Sequence, residues 1–405
     1  MSTVWNRAGH MFDPAAILPL PADAYTNAEV FADEMQRLFS PSSGLVYVGH
    51  DVLLPTTGHQ RADADPRLLL TRDDEGCVRA LANVCSHAFR PLVCDDVAVQ
   101  RSCITCPFHE WSYRRDGSFI GGRDVSFADG APGDATRRDL AIENYELLSW
   151  HGFHFTVDDD RVDEYRNDLA RIDADFAARG IADWLDLDGW VVLASENETY
   201  RGDWKMFLEV FGDCYHVPPY HPGLASFADC ETIEWTFGDN FHVQFLELSE
   251  QRGRRSPLYE AWADGLDRYY ELRGEQKSPM AVAWAGVYPN LMFEAYNGLR
   301  VISIAIPTGP DSYVNRMHYC VPADMEQLVP GLPQIIKDAF DETGIEDRIL
   351  MEARFDGMHT AASLGLDAAR YHVNLTGSAP EAGVAHFFDW WTRRMTRRRE
   401  PSLTP

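Results

Sequence analysis

Two short segments, Cys85-Ser86-His87 and Cys106-Pro107-Phe108-His109, constrain this chain more than any other feature. Each offers one thiolate and one imidazole. Two sulfurs and two imidazoles suit zinc or an iron–sulfur cluster. A zinc finger usually pairs Cys with Cys and His with His along the chain. The mixed order suits a two-iron cluster in which one iron takes both cysteines and the other both histidines. Neutral imidazoles in place of anionic thiolates raise the reduction potential, so such a cluster accepts electrons from a ferredoxin-like donor. The bland alternative, four unrelated residues, is disfavoured by the paired spacing. Cys94 and Cys103, in the same window, read as small buried residues.

The rest of the chain decides what such a cluster serves. With 405 residues it exceeds one ordinary core, so two domains are expected. A formal net charge of −27 repels phosphate backbones and anionic lipid, which argues against nucleic acid and membrane as partners. The N-terminal "MSTVWNRAGHMFDP" has no basic segment followed by an apolar run, and no stretch is apolar enough to span a bilayer. A cytoplasmic location follows as an expectation. In that compartment the eight cysteines are better suited to metal binding than to disulfides.

The pattern of elements predicts an α+β protein. Asn27 to Leu38 reads as an amphipathic helix capped by Thr26 or Asn27. From about Gly44, short runs such as "LVYVGHDVLL", "RLLLTRD", "CVRALANV" and "SYRRDGSFI" alternate with turn signals, giving a small all-β region that ends near 157. A polar stretch from 158 runs into a helix. Beyond Trp190, "FHVQFLEL", "AWAGVYPNLMFEAY" and "LRVISIAIP" read as strands, while Trp204 to Tyr215, Pro333 to Ser363 and Val384 to Met395 read as helices. Strands with helices before and after them indicate an antiparallel sheet flanked by helices. Both Cys/His pairs fall on loops of the all-β region, where they can converge.

At these residues the chain resembles the Rieske domain of the Rieske non-haem iron oxygenases, and "CPFHEWSYRRDG" is similar to that domain's second loop. Two positions depart from the pattern. Ala88-Phe89 stands where Arg-Gly is usual, and Glu110 stands where Gly follows the second histidine. The resemblance implies a [2Fe-2S] Rieske cluster held by Cys85, His87, Cys106 and His109. It also divides the chain into an N-terminal helical segment (1–43) packing on the catalytic domain, a Rieske domain (44–157) and a catalytic domain (158–405).

A Rieske domain only carries electrons, so a second site must receive them. The candidate is "DWKMFLEVFGDCYHVPPYHPG" at 203–223. With Trp204 to His216 on one helix, Glu209, Asp213 and His216 share a face. Pro218-Pro219 cannot extend that helix, so the chain turns there and His221 folds back beside His216. Two histidines and one carboxylate with open positions mark non-haem Fe(II) oxygenases. Spacing leaves the carboxylate open among Asp341, Glu342, Glu346, Asp347, Glu352 and Asp356. The resemblance, which takes the second acid of a pair ahead of the helix there, implies Asp347. Val210 and Phe355 stand where the family has more polar residues.

The resemblance further implies that Asp213 links His216 to His109 of a neighbouring subunit in a head-to-tail homotrimer. No Gly-rich dinucleotide fingerprint is present, so electrons must come from NAD(P)H through a separate ferredoxin or flavin reductase. The expected activity is hydroxylation or oxidative demethylation of a small organic molecule with O2. An aromatic substrate is within that expectation, and Phe211, Val217 and residues of "AGVYPNLMFEAY" are candidate pocket residues. The competing readings are ring cis-dihydroxylation, a non-catalytic electron carrier or redox sensor, and a zinc hydrolase built on His216, His221 and Asp347.

Overall fold

The computed structural model describes residue 17 and residues 19–123, 125, 133–366 and 379–396. The chain divides into two compact units, Ser40–Arg166 and a larger one that joins the N-terminal segment through Phe39 to Asn167 and beyond. The second boundary falls inside the helix Val162–Ala178, later than the strand end near 157 suggested.

The smaller unit is built from three antiparallel sheets. One orders Val46–His50, Phe153–Thr156 and Leu147–Trp150; the second orders Gly58–Arg61, Leu68–Arg72, Val78–Ala82 and Asn144–Tyr145. The third is the meander Cys103–Thr105, Ser112–Arg114 and Phe119–Gly121. Leu69, Leu81, Ile104, Tyr113 and Phe119 form an apolar cluster that includes Cys85 and Cys106. Both thiols are therefore buried, while residues 87–91 and 107–110, which follow them closely in the chain, are exposed. Of the two cysteines expected to be buried, Cys94 is exposed and Cys103 half-buried, because they sit on the loop and short strand leading into the second segment.

The larger unit is a seven-stranded antiparallel sheet. Its order is Trp190–Arg201, Ser312–Pro322, Leu299–Gly309, Leu291–Tyr296, Met280–Val287, Phe241–Leu248 and Ala228–Phe237. Every residue of Met280–Val287 and of Leu291–Tyr296 is buried, as central strands covered on both faces require. The edge strand Trp190–Arg201 has an exposed or half-buried side chain at nearly every position. Helices Lys205–Gly212, Pro257–Arg273, Leu332–Ser363 and Ala382–Thr396 share one core with the sheet, containing Trp204, Trp262, Phe207 and Phe387.

The N-terminal helix Ala28–Arg37 starts at Asn27, whose side chain accepts the Glu29 N–H. It carries Glu34 into the core of this larger unit. Glu34 takes the Lys205 ammonium at 2.7 Å and the indole N–H groups of Trp204 and Trp391 at 2.9 and 2.6 Å. Asp203 sits 2.7 Å from the same ammonium. The Asp203-Trp204-Lys205 run thus anchors the start of the helix that leads to the histidines. Removing one member of such a buried set leaves an uncompensated charge, at a cost of about 3–5 kcal/mol.

Candidate active site

The segment from Trp204 to His216 does not form the single helix that its pattern suggests. Helix Lys205–Gly212 stops because Gly212 touches the C-terminal helix: a Cβ there would lie 2.7 Å from Val384 N, and the Cys214 N–H donates to Pro380 O. Asp213 is extended (φ −118°, ψ 99°) and the chain restarts as two short helices, Val217–Tyr220 and Pro222–Phe227. Pro218 and Pro219 lie in the first turn of a new helix, where N–H groups have no intrahelical partner, so they break nothing. The redirection occurs on either side of them, at Asp213–Tyr215 and at His221-Pro222.

Glu209 does not share a site with His216. It is buried and takes the Tyr25 hydroxyl at 2.7 Å and the Arg354 guanidinium, tying the N-terminal segment to the helix Leu332–Ser363.

His216 and His221 end with ring centroids 5.1 Å apart. Their Nε2 atoms point at one oxygen: Asp347 Oδ1 is 3.4 Å from His216 Nε2 and 2.9 Å from His221 Nε2. One donor atom from each of the three lies within 4.8 Å of the others. The acids of the neighbouring helix turns are engaged elsewhere. Asp341 pairs with Lys337, Glu342 accepts from Ser256, and Glu352 and Asp356 meet Arg201. Glu346 takes the far side of His221, with Oε2 at 2.7 Å from Nδ1. Glu346 and Asp347 lie within the helix Leu332–Ser363, not ahead of it.

Asp213 Oδ1 accepts the backbone N–H of Tyr215 at 2.7 Å and of His216 at 3.3 Å. Its Oδ2 lies 3.3 Å from His216 Nδ1, a charge-pair distance without hydrogen-bond alignment. Each imidazole therefore turns Nε2 inward and Nδ1 towards a carboxylate. Burial pushes both rings towards neutrality and Asp347 towards protonation. Contact with Asp213 and Asp347 outweighs this at His216, held up to about 10; His221 is also raised and Asp347 lowered. Two inward imidazoles and a carboxylate, each ring backed by an outer acid, fit a divalent metal with open positions.

The triad lines a cavity holding about 690 Å³ of empty space, part of it open to solvent. Phe211 and Val217 line it, as expected, and so does Val210; Phe355 is buried in the core without lining it. The sheet contributes Trp284, Glu294, Tyr296 and Ser303. Glu294 falls in the run "AGVYPNLMFEAY" expected to line the pocket, but the run alone does not single it out, although a lone acid among apolar residues is a usable signal.

In the smaller unit, the two Cys/His segments form matching turns. Phe89 N–H donates to Cys85 O and Cys85 N–H to Arg90 O; Glu110 N–H donates to Cys106 O and Cys106 N–H to Trp111 O. His87 and His109 are exposed with ring centroids 4.8 Å apart, and His87 stacks on Trp111 at 4.5 Å. Tyr113 OH lies 3.1 Å from Cys85 Sγ and 3.2 Å from Ser86 N. Among the described residues, these four ligands do not form a group placed to hold a single ion, as His216, His221 and Asp347 do. Ligands of one tetrahedral ion would do so, whereas a two-iron cluster holds its thiolates and imidazoles apart. The donor set fits the cluster.

Comparison with known proteins agrees with this geometry. Residues 46–127 match the family model "Rieske [2Fe-2S] domain", and 187–397 match "Ring hydroxylating alpha subunit (catalytic domain)". The chain is 31% identical to putrescine 2-hydroxylase of Ralstonia nicotianae, covering 93% of this chain and 95% of that one. It is 28% identical to putrescine 2-hydroxylase of Bordetella bronchiseptica, covering 93% and 84%. The solved structure of a quaternary ammonium Rieske monooxygenase, studied for carnitine oxidation and inter-subunit electron transfer, superposes with a TM-score of 0.71 at 19% identity. It covers 95% of this chain and 97% of its own.

Fold and site together define an iron-dependent oxygenase with its own electron-accepting domain. The chain belongs to the Rieske non-haem iron oxygenases, as a terminal oxygenase subunit of the alpha type. Its cofactors are a Rieske [2Fe-2S] cluster and a mononuclear iron, and it acts on a small molecule with O2 and separate electron-transfer partners. Among the described residues, no helix is long and apolar enough to cross a membrane.

Proposed function

We propose that this chain hydroxylates a carbon of a small organic amine. Cys85, His87, Cys106 and His109 hold the cluster within the unit Ser40–Arg166, and His216, His221 and Asp347 hold the iron within the larger one. The observation that carries the reading is the convergence of His216 Nε2 and His221 Nε2 on Asp347 Oδ1 at the wall of the cavity. The bound iron supplies dioxygen activation. The protein's part is to orient the two rings through Asp213 and Glu346, keep bulk water from the site with Phe207, Phe211 and Phe340, and seat the substrate. The amine class draws on the putrescine hydroxylases and the quaternary ammonium monooxygenase that this chain resembles. Eight unpaired cysteines suit a reducing cytoplasm.

The same reading gives Asp213 a second task, bridging His216 of its own subunit to His109 of the next in a homotrimer fed by a ferredoxin or flavin reductase. The exposed rings of Phe89 (83%) and Phe108 (60%) beside the cluster loops, and of Tyr215 (58%) beside Asp213, suit surfaces that meet another subunit. Asp213→Asn is expected to retain both metals and a reducible cluster yet turn over very slowly. Mixed trimers of Asp347→Ala and His109→Ala chains are expected to regain activity, because some contain one intact cross-subunit pair. Normal turnover in Asp213→Asn, or a fully active monomer, would refute the bridge. Amine-dependent oxygen uptake with a product hydroxylated at carbon tests the reaction, and turnover of only neutral aromatic compounds would overturn it.

A further inference from the structure

Glu294 sits in the middle of the sheet, on a strand whose every residue is buried. Its cross-strand partner is Trp284, Tyr296 lies two residues on, and Ser303 pairs with Met292 two residues before. Side chains at alternate positions share a face, so these four groups stand together on the side of the sheet that lines the active-site cavity.

Their hydrogen bonds run in one direction. Trp284 Nε1–H can only donate, and it does so to Tyr296 OH at 2.9 Å. Tyr296 is left to donate to Glu294 Oε2 at 3.3 Å, while Ser303 Oγ–H donates to Oε1 at 2.7 Å. A carboxylate can accept about four hydrogen bonds, so half of its capacity is free. Among the described residues no Lys, Arg or His nitrogen pairs with it, and neither Lys nor Arg lines the cavity. A buried carboxylate without a cation is costly to ionise.

We propose that Glu294, fixed by Ser303 and by the Trp284–Tyr296 pair, receives the protonated nitrogen of the substrate. The inference rests on the oxygenase reading above and narrows its substrate to amines that are cations at neutral pH. The aromatic rings of Trp284 and Tyr296 line the same cavity, where an ammonium is attracted to an aromatic ring. A chain of net charge −27 draws cations towards it. The metal triad shares the cavity, so an amine seated by its nitrogen leaves its carbons to face the iron. The empty site avoids the cost of a bare charge by keeping the carboxyl protonated. Burial, reinforced by the negative charge of Asp347, raises it to about 8 against the opposing hydrogen bonds of Ser303 and Tyr296. Among the described residues, Asp347 is the ionisable group whose charge acts on it, Tyr296 and Tyr319 stand beside it, and the imidazoles of His216 and His221 line the same cavity beside Asp347. An entering ammonium therefore displaces a proton: the acid O–H breaks, the proton leaves to buffer, and a carboxylate–ammonium pair forms.

Calorimetric titration of the holoenzyme with butane-1,4-diamine and butylamine, beside the neutral butane-1,4-diol, tests this. At pH 7 at least one amine is expected to bind about tenfold or more tighter than the diol, with release of close to one proton, read from buffers of different ionisation enthalpy. Glu294→Gln, nearly isosteric, is expected to lose that preference and the proton release while keeping its affinity for the diol. Unchanged amine affinity and proton release in Glu294→Gln, or no amine binding by the unaltered enzyme, would overturn the proposal. Because the proton release is read on the unaltered enzyme, it does not depend on the variant folding. If amines bind through Glu294 but none is oxidised, the reaction assignment fails and the ammonium seat stands.

Discussion

Glu346 Oε2 lies 2.7 Å from His221 Nδ1, on the opposite side of the ring from Asp347. Consecutive acids of one helix thus hold both nitrogens of a single imidazole. In the proposed site Asp347 would be the metal ligand, and Glu346 the orienting acid that fixes the tautomer and raises the basicity of the ring.

The two acids should separate by variant. Asp347→Ala is expected to lose the mononuclear iron and all turnover while the visible spectrum of the cluster is unchanged. Glu346→Gln keeps the shape but not the charge, and is expected to bind Fe(II) about 10–100-fold more weakly while regaining activity at excess iron. Iron titration after chelation distinguishes them. Full iron occupancy in Asp347→Ala, with loss in Glu346→Gln, would exchange their roles.

Both cluster loops place a side chain where the backbone favours glycine. Phe89 has φ 57° and Glu110 φ 58°, each four residues after its cysteine, at the two positions where the family pattern has Gly. A side chain in the left-handed region costs about 1–2 kcal/mol. The Glu110 carboxylate offsets little of this, since its contact with Arg123 at 3.7 Å joins two exposed groups. Glu110→Gly is expected to raise the stability of this unit by about 1 kcal/mol, seen as a later thermal loss of the cluster absorbance. A lower melting temperature would mean that the Glu110 side chain makes a stabilising contact stronger than that strain.

What could be read in the sequence follows from how local each cause is. Cys85, His87, Cys106 and His109 are legible because their spacing fixes two matching turns. Strand Phe241–Leu248 and helix Leu332–Ser363 agree with their patterns because apolar runs and helical period are local signals. The helix expected from Trp204 to His216 ends early because Gly212 meets Val384, a contact across the chain that no local pattern carries. Edge strand Trp190–Arg201 escaped because its polar, half-exposed side chains dilute the strand signal. Asp347 could be chosen among six acids only by resemblance, since what distinguishes it is that the other five are engaged by Lys337, Ser256, His221 and Arg201.

A buried histidine pair makes the larger unit sensitive to acid. Tyr288 OH lies 2.8 Å from His242 Nδ1 and 2.9 Å from His386 Nδ1. One hydroxyl proton serves only one ring. Among the described residues His242 Nε2 has no hydrogen-bond partner, and a bare lone pair there costs less than an unpaired N–H. His242 therefore donates from Nδ1 to Tyr288, and Tyr288 donates to His386. Burial depresses both rings, His242 from 6.5 to about 3 and His386 well below its ordinary value, with the charges of His242 and Arg393 adding to the effect at His386. A depressed imidazole takes up its proton more readily in the unfolded chain. Its effect on stability is absent above about pH 6.5 and grows as pH falls from there towards 3, at about 1.4 kcal/mol per unit for each ring. Other groups titrate over the same range, so the test compares two proteins. His242→Gln is expected to be less stable than the unaltered enzyme at pH 7.5, because a buried group must repack. The gap should narrow by about 1.4 kcal/mol for each unit below pH 6.5, measured by urea unfolding. A gap independent of pH between 7.5 and 5 would show that His242 is not held neutral by burial.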